Sequence, residues 1–166
     1  MRRRRSPVRE SGNGFLIELG EDEAMLVTRL LDELRQLLTN PSPDSSERLL
    51  VVRLFPVAHP DDEEAEEEYQ RLMRDELVQS KLEAIERVET VLTAERRSDR
   101  VVDELGLVAF MQSLNAIRLV LGTMLGVTDD PCQDEVDEQL ERSPEYHLYA
   151  YLSWLLEHCV RAASGL

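Results

Sequence analysis

Residues 105–127 read LGLVAFMQSLNAIRLVLGTMLGV. A helix built from them has no continuous polar face, so most of its circumference must be covered by the rest of the chain. Its middle nonetheless carries Gln112, Asn115 and Arg118. A guanidinium held in such a helix must be paired, hydrogen-bonded or led out to water, because an unpaired buried charge is strongly destabilising. The segment is long enough to span a bilayer, for which roughly 20 residues suffice. Arg118 near its centre would add about 2.5–3.5 kcal/mol to insertion, and Asn115 and Gln112 add to that. A buried central helix is therefore expected rather than a membrane span, with a cytoplasmic location and no membrane partner.

The flanking sequence supplies helices to cover it. Glu21 to Thr39 places Leu26, Leu30, Leu34, Leu37 and Leu38 at three- and four-residue steps, the period of an amphipathic helix. Glu21, Asp22 and Glu23 suit the positive end of its dipole, and Asn40-Pro41-Ser42-Pro43 ends it. A short helix is expected over Glu47–Phe55 with Ser46 as cap. After Pro56 and Pro60, the acidic run Asp61–Glu68 opens a long helix to about Arg96. Its apolar stripe is Leu72, Val78, Leu82, Ile85, Val88 and Leu92, with Gln79, Lys81, Glu83, Glu86 and Glu89 on the other face. A hinge at Ser98–Arg100 precedes the central helix, for which Gly126 is the expected stop. Residues 128–142 read as an acidic loop with one turn of helix near Glu135–Leu140. Ser143-Pro144-Glu145 starts a last helix, serine as cap and proline in the first turn. Phe15–Leu19 reads as a short strand or an extended lead-in broken by Gly20, and residues 1–14 are expected to be a flexible basic tail.

The reading is thus an all-α fold: one domain over residues 15–166, a compact bundle of four to five helices around a buried one. The net charge of -15 is unevenly spread. Arg2, Arg3, Arg4, Arg5 and Arg9 face no acid among the first nine residues, which leaves a strongly anionic body. Such a body repels nucleic acid at long range. The Arg2–Arg5 cluster is the candidate phosphate contact, through which DNA could be held without reading its sequence. Its alternative is a solvated tail paired with the protein's own acids. The Asp61–Glu68 run either grips a basic partner or is simply a solvated helix start.

No catalytic constellation stands out. His59, His147 and His158 are scattered, and no metal-ligand spacing is present. Ser113 and Ser153 have no visible activating partner, and there is no P-loop, GxGxxG or GxSxG. No enzyme, metal or cofactor is implied. Cys132 and Cys159 are either a redox-switched pair, which needs Cα atoms within about 7 Å, or an exposed thiol and a small core residue. Asn115 and Arg118 share a helix face. They form either an anion or ligand site within the bundle, or a structural polar pair closed by Glu157 of the last helix. Leu49-Leu50-Val51-Val52 is too densely apolar for one helical stripe, so part of it is expected outside the core as a patch for homodimerisation.

Phe15–Leu19 followed by Glu21–Leu38, Arg53-Leu54-Phe55-Pro56, Ala109–Val127 with Asn115, Arg118, Leu119, Leu121, Gly122, Met124 and Leu125, and Tyr149-Ala150-Tyr151-Leu152 leading into Trp154–Glu157 together resemble an actinobacterial family first described as a domain of unknown function. One branch of that family is described as an oxidative-stress transcriptional regulator. The resemblance spans roughly Phe15 to Val160, and its distinctive stretch is Asn115–Leu125. It implies an all-helical, non-enzymatic cytoplasmic regulator with a protein partner in the transcription machinery, a sigma factor among the candidates. The chain lacks a closely spaced cysteine pair, which sets it apart from a simple local thiol switch.

Overall fold

The structure, a computed structural model, describes residues 6–40, 45–127 and 141–165. It opens with an antiparallel hairpin of β1 (Val8–Ser11) and β2 (Gly14–Ile17), paired Val8 with Ile17 through Ser11 with Gly14. The two loop residues are Gly12 and Asn13. Gly12 adopts a φ of 62°, as the first position of a type II′ hairpin turn requires. Helix α1 (Glu21–Thr39) follows, then α2 (Ser45–Arg53) and α3 (Glu63–Leu92). A 3-10 turn at Arg97–Arg100 leads into β3 (Val101–Val102), which pairs with β2 through Phe15–Val102 and Leu16–Val101. Helix α4 (Glu104–Met124) and helix α5 (Pro144–Ala163) complete the described chain.

The fold is thus mostly helical with a small three-stranded sheet, ordered β1-β2-β3, at one end. The helices form the expected bundle, the sheet adds strands beyond the one N-terminal segment read from sequence, and the folded part begins before residue 15. Residues 6–14 are not tail but the first strand and turn of the sheet, with Val8 fully buried. Arg9 is drawn in as well. Its Nη2 lies 3.6 Å from Glu18 Oε2, and Arg97 Nε lies 3.3 Å from the same carboxylate. The region 128–140, with its expected turn of helix, lies outside the described residues.

Helix α4 is the hub. It packs against α1, α2, α3, α5 and the sheet, and more than half of its apolar stretch is buried. Phe110 and Leu114 are completely enclosed, as are Leu31, Leu152 and Leu155 from the neighbouring helices. Asp103 caps its start by accepting from the Gly106 amide at 2.8 Å. Its end is a Schellman closure: Val127 N donates to Gly122 O at 2.9 Å and Gly126 N to Thr123 O at 3.2 Å, with Gly126 at a φ of 67°. The expected stop at Gly126 is therefore where the chain reverses. Ser143 accepts from Tyr146 N at 3.1 Å with Pro144 in the first turn of α5, as its sequence requires.

Helix α3 runs 30 residues, roughly 45 Å at 1.5 Å per residue. Only Ile85, Val88 and Leu92, in its second half, are fully buried. Leu72, expected on the same stripe, is exposed. Near its C-terminal end Glu89 forms an ion pair with Arg35 of α1, tying the two helices together beside the core.

The burial pattern sets the stability of single changes. Phe110→Ala removes a fully enclosed ring and is expected to lower the unfolding free energy by about 3–5 kcal/mol. Leu105→Ala, one and a half turns earlier on the exposed side of α4, is expected to change it by no more than about 0.5 kcal/mol. Urea denaturation of both variants checks the orientation of the helix. Equal costs would show it wrongly rotated.

Candidate functional site

A cleft of about 260 Å³ opens between α3 and α4. Its floor and walls are aliphatic: Leu34, Leu54, Leu77, Ala84, Ile85, Ala116 and Leu119. Its polar lining comes from Ser80 and Lys81 on α3 and from Gln112, Ser113 and Asn115 on α4. The α4 residues reach the cleft because steps of three and four place 112, 115, 116 and 119 on one side of the helix. Ser113 is 3% exposed and its Oγ is buried with no hydrogen-bond partner. A serine in mid-helix ordinarily turns its hydroxyl back to the carbonyl four residues earlier; this one does not.

Lys81 is half-buried, with its Nζ 5.6 Å from the centroid of the Phe55 ring. Arg74 stacks on the same ring, its Cζ 4.1 Å from the centroid. Desolvation pushes the Lys81 ammonium below its ordinary pKa. Among the described residues no carboxylate pairs with Lys81.

Arg118 does not line this cleft. Its Nη1 donates to the Tyr149 hydroxyl and its Nη2 to Asn115 Oδ1, both at 3.4 Å, and its Cζ lies 5.6 Å from the Tyr149 ring centroid. Its Nε is buried without a partner. The expected clamp by Glu157 is absent. Glu157 is exposed and pairs with Arg161 one turn along its own helix, a partner that needs no bridging between helices. Asn115 thus connects two environments: its carbonyl oxygen serves Arg118 on the α5 side, while its side chain borders the cleft. The cation that lines the cleft is Lys81, which the sequence pattern places on the polar face of α3.

Elsewhere the residues singled out from sequence fall apart. Arg2–Arg5 and Cys132 lie outside the described residues. His59 stacks edge-on to Tyr69, while His147 Nδ1 lies 2.8 Å from Ser143 O and His158 Nδ1 2.9 Å from Trp154 O. No cluster of potential metal ligands occurs among the described residues. In the acidic run, Asp62 caps α3 by accepting from Ala65 N at 3.0 Å. Glu66 accepts from Gln70 and from the amides of His59 and Ala58, and these bonds hold its carboxyl below the usual range. Part of the run therefore folds the α2–α3 connection over the start of α3.

Cys159 is a free, fully buried thiol in the core of α5. Desolvation pushes it up to about 12. Tyr151, whose hydroxyl is buried without a partner, is likewise pushed up to about 12 by desolvation and by the nearby Glu23 carboxylate. In both cases the folded state holds the proton more tightly than the unfolded chain. Their contribution to stability is complete below the ordinary thiol value of 9.0 and is lost as pH rises toward 12. The thiolate is the reactive form, so at pH 8 an alkylating reagent is expected to leave Cys159 unmodified in native protein and to label it after unfolding, as peptide mass spectrometry would read. Rapid native labelling of Cys159 would contradict its placement.

No curated protein and no solved structure matches the chain. A family profile described as a domain of unknown function, DUF2017, matches residues 2–163. The chain belongs to that family, and the match covers the sheet, the five described helices and the cleft between α3 and α4 alike.

Proposed function

We propose that this member of the family is a non-enzymatic regulatory protein of the cytoplasm that works by contact with another protein. The observation that carries the reading is the exposed aliphatic side of α2. Leu49 and Val52 are 65% and 58% exposed, and Val57 and Leu72, further along the chain, are exposed as well. Val51, Leu54 and Phe55 of the same segment are buried, so α2 spends one side on the core and offers the other to solvent. The exposed aliphatic side chains lie in the same stretch of chain as the acidic run Asp61–Glu68. Apolar anchors within a field of one sign suit a partner with apolar and basic character, and the field speeds encounter with it.

Proteins that bind nucleic acid carry basic faces of this kind. The resemblance to an actinobacterial branch with an oxidative-stress transcriptional regulator points the same way, to transcription machinery with a sigma factor as the first partner to test. The acidic body disfavours direct duplex binding by the folded core, which leaves DNA contact to the Arg2–Arg5 segment. A second copy of the chain competes for the same apolar face.

Purified full-length protein is expected to bind a sigma factor from its own cell. The double variant Leu49→Asp, Val52→Asp should bind at least about ten-fold more weakly while keeping its helical content, a loss of about 1.4 kcal/mol. Raising the salt concentration should weaken the wild-type complex. Equal binding by the double variant would remove this face from the interaction. Failure to bind any component of the transcription apparatus would remove the partner class. Sedimentation of the chain alone separates self-association from both.

A further inference from the structure

We propose that the α3–α4 cleft is a binding site for a small monocarboxylate with a short apolar body, held by Lys81, Ser113 and Asn115. The inference does not depend on the protein-partner reading, because the exposed side chains Leu49, Val52, Val57 and Leu72 are not among the residues that line the cleft. Three observations converge. First, the cleft is concave and mainly aliphatic with a few polar groups set into it, as small-molecule sites are. Second, Ser113 is among the residues bordering it, and its Oγ is buried without a partner. An unsatisfied buried hydroxyl is costly unless something accepts its proton or donates to it, and a bound oxyanion would accept. Third, Lys81 brings a cation to the same cleft with no carboxylate paired to it among the described residues. Asn115 uses its carbonyl oxygen on Arg118, which leaves its amide N–H groups as donors.

The donor set fixes the ligand's head group. One ammonium balances one negative charge, and hydroxyl and amide donors supply directional bonds to a carboxylate's two oxygens. A phosphate dianion would ask for a second cation, and none lines the cleft. The apolar body follows from the walls contributed by Leu77, Ala84, Ile85 and Leu119. The volume fixes the size. A cleft of 260 Å³ lies below the range of about 300–1,000 Å³ common for drug-sized ligands. Hexanoate, with eight non-hydrogen atoms, is a fitting probe.

Titration of the full chain with hexanoate, followed by amide and lysine side-chain NMR, tests the site. Saturable shifts are expected on residues 77–85 and 112–119 and at the Lys81 side chain. Acetate, lacking the body, and hexanol, lacking the charge, should bind at least ten-fold more weakly. Lys81→Met should weaken hexanoate at least ten-fold, Ser113→Ala by about three- to ten-fold for one lost hydrogen bond, and Lys81→Arg far less than Lys81→Met. If Lys81 only lays its stem across Phe55, Lys81→Met will leave hexanoate binding unchanged, and that result overturns the proposal. So does the absence of saturable shifts in the cleft, hexanol binding as tightly as hexanoate, or hexyl phosphate binding more tightly than either.

Discussion

The structure depends on covering one helix. Helix α4 is apolar around most of its circumference, and exposing such a surface to water would cost about 25 cal/mol for each square ångström. Helices α1, α2, α3 and α5 and strands β2 and β3 each supply part of the cover. Helices α1, α3 and α5 supply long leucine-rich faces, α2 a short one, and the three-stranded sheet closes the end where α4 begins. Where α4 meets α3 the cover leaves a cleft, bordered on the α4 side by Gln112, Ser113, Asn115, Ala116 and Leu119. Core and candidate site are in this sense two sides of the same helix.

Much of this was legible in the sequence because helix period and capping chemistry are local. The start of α5 at Ser143-Pro144, the reversal at Gly126 and the burial of Leu30, Leu34 and Leu38 in α1 each follow from residues within a few positions of one another, although Leu26 of the expected stripe is exposed and Leu37 only partly buried. The hairpin was not read. Arg9, Glu10 and Ser11 look like tail by composition, and four-residue strands are too short to display a convincing alternation. The usable signal was Gly12-Asn13, a pair suited to a two-residue hairpin loop. Its third strand, Val101–Val102, pairs with Phe15 and Leu16 from the far side of three helices, and no local pattern announces that.

The candidate site was legible only in part. Asn115 was identified, and it borders the cleft. Arg118 and Glu157 were expected to meet because both lie on apolar helices. Helix geometry instead offers Glu157 the exposed Arg161 four residues away, and Arg118 rests on Tyr149. Lys81 was hidden by its surroundings in the sequence, where it sits among Gln79, Glu83 and Glu86 and reads as one more surface charge. What distinguishes it is tertiary: the Phe55 ring, just past the end of α2, lies 5.6 Å from its Nζ, and it lines one cleft with Gln112, Asn115 and Ala116 of α4. Ser113 carries no sequence signal at all, since a serine that fails to bond its own helix backbone looks like any other serine.

The central claim is that α4 is the enclosed hub of the fold rather than a peripheral helix. Hydrogen exchange of the native protein measures this directly. Amides of Leu107–Leu121 are expected to open only with global unfolding, whereas those of α2, short and half-exposed, exchange through local opening. Exchange of the α4 amides as fast as those of α2 would contradict the account.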